Sequence, residues 1–108
     1  MYSELVALLV ATKIPCAEGA WNNAPQTGSY IEYSLDGQGA TVWGDNMQCQ
    51  QVILGSVDLY CRTNDRTDFN AVQGALKSWG GSWSLNSIQH EVDNRLIHYE
   101  WVFEMEKI

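Results

Sequence analysis

The chain has 108 residues, 45% of them hydrophobic and 11% aromatic, with five tryptophans and a formal net charge of −7. That length fits one domain with a modest core. Its six Lys and Arg are scattered, which disfavours binding to DNA phosphates or anionic lipid, and no apolar run approaches the roughly 20 residues of a membrane span.

The first predicted element is a helix. In "YSELVALLVA" the residues Tyr2, Leu5, Val6 and Leu9 fall at i, i+3, i+4 and i+7, the stripe of a helix packed on one side. Ser3 and Glu4 suit its start, and Pro15 stops any continuation. The segment lacks a basic leader and is read as part of the mature fold. "AEGAWNNAPQTGS" is rich in turn formers and reads as a loop, with Trp21 expected to cap one end of the core.

"SYIEYSL" alternates, placing Ile31, Tyr33 and Leu35 on one face and Tyr30, Glu32 and Ser34 on the other, as in a half-buried strand. "DGQGATVWGDN" reads as a long glycine-containing loop with Trp43 near its tip. Next comes "MQCQQVILGSVDLYC", which has the composition of one long strand. From Ile53 onward its odd positions, Ile53, Gly55, Val57, Leu59 and Cys61, make the buried face. Nearer the loop, Gln48, Gln50 and Gln51 leave neither face apolar. The distal half therefore reads as an arm or a two-sided polar ribbon, with a bulge at Gly55 or at the Gln50–Gln51 pair. Packing within one subunit does not account for such an arm.

A second helix follows in "NDRTDFNAVQGALKSWGG". Phe69, Val72, Leu76 and Trp79 form its stripe, and Gly80 and Gly81 end it. Asn64, Asp65 and Thr67 are all candidate caps. Gly74 weakens its middle, a cost often accepted where another backbone comes close. The last element is a hairpin. Ile97, Tyr99, Trp101, Phe103 and Met105 alternate with His98, Glu100, Val102, Glu104 and Glu106. A two-residue turn at Asp93–Asn94 pairs Ile88 with Tyr99, and a slip by one residue would turn every side chain to the wrong face. The expected fold is α+β: a mostly antiparallel sheet with a long hairpin and two helices packed on one face, as a single domain over 1–108.

The search for chemistry finds little. No phosphate-binding glycine motif is present. "DGQG" lacks the spaced carboxylates and final Glu of a calcium loop. His90 and His98 point to opposite faces in the register above and cannot share an ion. The three cysteines, Cys16, Cys49 and Cys61, are odd in number and show no C-x-x-C spacing, which argues against a disulfide framework or zinc site and for a reducing compartment. No catalytic, cofactor-binding or metal-binding residue is expected. Glu100, Glu104 and Glu106 form either a solvated outer face or an acidic surface turned to a partner or lumen. Trp43 is either an interface anchor or a ring folded back on its own sheet.

The order of elements, with "SYIEYSLDG", "GDNMQCQQVILGSVDLYCRTND", "TDFNAVQGAL" and "IHYEWVFEMEKI", resembles the tail terminator (tail completion) proteins of long-tailed phages and prophages. The resemblance spans nearly the whole chain and lies in patterns of residues. It implies a non-enzymatic structural protein, made in the bacterial host cytoplasm, that forms a homomeric ring, usually a hexamer, on the head-proximal end of the tail tube. Its partners would be further copies of itself, the tail tube protein and a head-completion or neck protein, with no sequence-specific nucleic acid and no membrane. The polar arm would then touch a neighbouring subunit or the tube, through Trp43, Asp45, Gln48 and Gln50. A head–tail connector or neck protein is the alternative of the same class. A small cytoplasmic binding module or enzyme, with a pocket beneath residues 36–46, is the alternative of another class.

Overall fold

The computed structural model describes residues 1–44 and 47–106, and for residues 38–44 and 47–51 the backbone alone. Two helices and five strands follow in the order α1 (Tyr2–Ala11), β1 (Cys16–Glu18), β2 (Tyr30–Gly44), β3 (Met47–Cys61), α2 (Thr67–Trp79), β4 (Ser82–Glu91) and β5 (Leu96–Met105). The strands form one sheet in the order β1-β2-β3-β5-β4. Among the described strands only the β1–β2 pairing is parallel. The fold is α+β, with both helices on one face.

The core is the inner face of the three central strands. Register places Ile31, Leu59 and Tyr99 side by side, then Tyr33, Val57 and Trp101, then Leu35, Gly55 and Phe103. This is the alternation expected from the sequence, with the odd positions of β3 from Ile53 onward and those of β5 turned to the helices. Helix α2 lies over β5: Phe69 packs on Tyr99 and Trp101 at 4.7 and 5.3 Å between ring centroids, and Trp79 meets Phe103 edge-on at 5.4 Å. Helix α1 adds Leu5 and Leu9, both fully buried, and Tyr2, which packs against Tyr33 and Phe103. The two helices are tied where the Trp79 Nε1–H donates to the Met1 carbonyl at 2.8 Å.

Gly55 has a specific reason to be glycine. A Cβ there would run into the ring of Phe103 and stand 2.6 Å from the Ser34 carbonyl oxygen. The aromatic ring lies directly over the glycine of the neighbouring strand, in the space a side chain would take.

Several expectations change. Residues 36–44 are not a loop. They continue β2, and their pairing with β3 runs to Gly44↔Met47. Glycine richness suggested a loop, but backbone pairing along the ribbon outweighs local propensity. The bulge lies on the partner strand, between Leu35 and Gly37 opposite Gly55 and Leu54, and further shifts occur between Gln38 and Thr41 and between Val42 and Trp43. Gly37 has φ +131°, which a side chain rarely adopts.

Cys16–Glu18, which runs into the start of the expected loop, forms the short strand β1 against Ile31–Tyr33. Trp21 does not cap the core. It packs edge-on against Tyr30 at 6.2 Å, on the sheet face away from the helices. Gly74 has nothing within 4 Å of an added Cβ, so no close backbone accounts for it. Asp65 supplies the start of α2: its Oδ1 accepts from the Thr67 N–H at 2.9 Å and the Thr67 hydroxyl at 2.6 Å.

The closing hairpin has the expected register, with Ile88 opposite Tyr99, but a longer turn. Strand pairing ends at Glu91↔Leu96, the Arg95 N–H donates to the Val92 carbonyl at 3.3 Å, and Arg95 takes φ +53°. Four turn residues preserve the same pairing as two.

Candidate assembly ribbon and outer sheet face

The long hairpin is the feature that the core does not need. β2 and β3 have 15 residues each, while β5 covers β3 only as far as Ile53↔Met105. Beyond the Gln38↔Ile53 pair, β2 and β3 continue as two strands alone. The radius of gyration is 15.2 Å, against about 13 Å for a compact chain of this length, and the extents are 52 × 27 × 24 Å. Two strands alone are marginal in water and gain stability when a third surface covers them.

The residues expected to make partner contacts belong to this ribbon. Trp43 is paired with Gln48, and Gln50 with Val42, so three of the four sit within two residue pairs of each other on the backbone. Their side chains lie outside what the structure describes, as does Asp45 altogether. The extra residue in β3 at this point is Cys49, next to the Gln50–Gln51 pair that the sequence marked as a possible bulge.

The outer face of the sheet holds an arrangement that the sequence did not reveal. Tyr30, Tyr60 and His98 occupy one row across β2, β3 and β5. They stack face to face, with centroids 4.7 Å apart for the tyrosines and 4.3 Å for Tyr60 and His98. In the adjacent row Glu32, Asp58 and Glu100 stand directly opposite one another. Each accepts from a described neighbour: Glu32 from the Trp21 backbone N–H at 2.8 Å, Asp58 from His98 Nε2 at 2.7 Å, and Glu100 from the Asn86 amide at 2.7 Å.

Like charges opposite one another on neighbouring strands repel. The Asp58 carboxyl is accordingly held above the usual carboxylate range, first by burial, against the lowering pull of His98, with Glu100 and Glu32 adding to the rise. Burial also raises the Tyr60 hydroxyl above its ordinary value, and the nearby carboxylates push it further, so it stays neutral. The alternation of β3 and β5 placed Asp58 and His98 on outward faces. Nothing in the sequence said that these two strands are neighbours, so the pair was not visible.

His90 lies opposite Ile97 on the other face, as expected, and cannot reach His98. Cys16 and Cys61 are free thiols, both made harder to ionise by burial, and the thiolate needed of a nucleophile is disfavoured in both. Among the described residues no group of three or more His, Cys, Asp or Glu is placed to hold a metal ion. No helix among them is long and apolar enough to cross a membrane.

No model of a known protein family matches the chain, and no curated protein matches it in sequence.

Proposed function

We propose that the protein is a non-catalytic assembly protein of a phage-type tail: a terminator that caps the head-proximal end of the tail tube as a ring of six copies. In this role it stops tube growth and presents the surface to which the head attaches. The reading starts from the resemblance of its sequence patterns to the terminator family. The observation that supports it most is the β2–β3 ribbon, which extends past its last sheet neighbour at Ile53↔Met105. A two-stranded extension has more exposed backbone and side chain than it can bury itself. Insertion against the next copy or the tube would cover it, and one such head-to-tail contact repeated about an axis closes a ring. The acidic balance of the chain also suits a wall past which DNA moves without sticking.

Trp43 is the proposed anchor on this ribbon, with Asp45, Gln48 and Gln50 as polar contacts. The test compares wild type with Trp43→Ala in two measurements. Thermal melts of the isolated domain should be nearly unchanged, because the ribbon lies beyond the three-stranded core. Electron microscopy of tails made with the variant should show overlong tubes or tails without caps. Capped tails of normal length that fail to join heads would indicate a neck protein instead. Normal tails joined to heads would reject the ribbon contact, and a large fall in melting temperature would assign Trp43 to the intrachain core.

A further inference from the structure

The outer face of the sheet holds a trough, and its walls are acidic. Its floor is the row Ser34, Ser56, Val102 and Ser84, which runs across β2, β3, β5 and β4 in direct register. These side chains are short, so the floor is low. On one side stands the row Glu32, Asp58 and Glu100. On the other stand Asp36 and Glu104, with Leu54 between them. The second side borders an open hollow of about 470 Å3. Leu54 and Val102 are 38% and 36% exposed, which leaves apolar surface open at the base.

Charge on this face is one-sided. Among the five carboxylates of the trough the partner able to carry positive charge is His98, and that ring is already committed to Asp58; Asp36 accepts from the Ser34 hydroxyl at 2.9 Å. Arg62, at the far margin beyond Tyr60, donates to the carbonyls of Gly28 and Pro25 and holds the β1–β2 connection. Of the other described cations, Lys13 follows α1, Arg66 lies over the Phe69 ring, Lys77 is on α2 and Arg95 is in the last turn. None of them supplies the charge that the trough lacks.

We infer that this trough is a docking surface for a cationic segment of a partner protein, laid in extended form across the four strands. Crossing four strands takes about 15 Å, or some five extended residues. Successive side chains of such a segment point to opposite sides, so consecutive Arg or Lys residues reach both acidic walls. Their stems cover Leu54 and Val102. The docked charge relieves the repulsion among Glu32, Asp58 and Glu100, which the fold alone leaves only partly compensated. This surface is separate from the distal β2–β3 ribbon, and the inference does not depend on the ring.

The probe is N-acetylated, C-amidated hexa-arginine at about 50 mM salt, where exposed charges are weakly screened. Binding to the full chain is followed by calorimetry and by amide shifts in two-dimensional NMR. The largest shifts should fall on Ser34, Ser56, Ser84 and Val102. Glu100→Gln with Glu104→Gln should weaken binding about tenfold, at a few-fold per charge. Glu4→Gln with Asp93→Asn removes the same charge from α1 and the last turn, and should weaken it less than about twofold. Both glutamines are isosteric, and the amide oxygen at position 100 still accepts from Asn86, so the fold is kept. Equal weakening by the two double variants would reduce the effect to net charge and overturn the proposal. So would shifts centred elsewhere, equal binding of a hexa-citrulline peptide, or spermine occupying the same amides as tightly as hexa-arginine.

Discussion

Truncation of Trp101 tests the core most directly. The side chain is fully buried in the middle of β5, between Val57 and Leu85 on the flanking strands. Phe69 covers it from α2 at 5.3 Å, Tyr99 packs beside it at 6.1 Å, and its Nε1–H donates to Gln73 Oε1 at 3.3 Å. An aromatic of this kind buries about 150–250 Å2. At about 25 cal/mol per Å2 that is roughly 4–6 kcal/mol for the whole side chain. Alanine keeps one methyl group, and the helix can settle slightly into the space, so Trp101→Ala should cost about 3–5 kcal/mol. A domain of this size holds only about 5–15 kcal/mol in total. The assay is urea unfolding followed by far-UV circular dichroism, because fluorescence would lose one of its reporters. The midpoint should fall with little change of slope, and the melting temperature should drop by more than about 10 °C. A loss below about 1 kcal/mol would mean that β5 presents its other face to the helices and that the register argument is wrong.

Gly55→Ala should destabilise by about 1–3 kcal/mol, the usual range for overpacking, since the new methyl group meets the Phe103 ring and the Ser34 carbonyl; denaturant melts matching wild type would show that the ring moves freely. Gly74→Ala should raise stability by about 1 kcal/mol, because the position is helical and open; a loss would indicate a contact at that site. His98→Ala should cost about 1–3 kcal/mol by leaving the half-buried Asp58 carboxylate without its donor, read in the same melts, and Asp58→Asn in the same background should recover part of it. For Cys61, burial raises the thiol, so the folded state keeps the proton that the unfolded chain releases near pH 8–9. Its contribution therefore favours folding below that range and declines as pH rises through it. Alkylation of Cys61 by iodoacetamide at about pH 8, followed by mass spectrometry, should be at least about tenfold slower in the folded than in the urea-unfolded protein.

Several of these sites are legible in the amino-acid sequence alone. Strict alternation in β5 named Tyr99, Trp101 and Phe103 as core, and the 3.6-residue spacing of Phe69, Val72, Leu76 and Trp79 named the helix face that covers them. The register of the last hairpin followed too, since only one pairing puts apolar faces together. These signals are local: each depends on side chains a few residues apart along one element, so sequence by itself determines them. The projecting arm was legible for a related reason, because Gln48, Gln50 and Gln51 mark a strand with no core to face.

What sequence order did not contain is adjacency between distant strands. That β3 lies beside β5 decides that Asp58 meets His98, that Glu32, Asp58 and Glu100 stand in one line, and that Phe103 covers Gly55. The same choice makes a trough of four short side chains that belong to four different strands. Trp21, in the β1–β2 connection, went to the outer face where it meets Tyr30 edge-on, and the glycines after Leu35 became strand because β3 pairs with their backbone. Periodicity reports which face of an element is buried. Which elements become neighbours depends on how all the buried faces close over one core, and only the folded chain settles that.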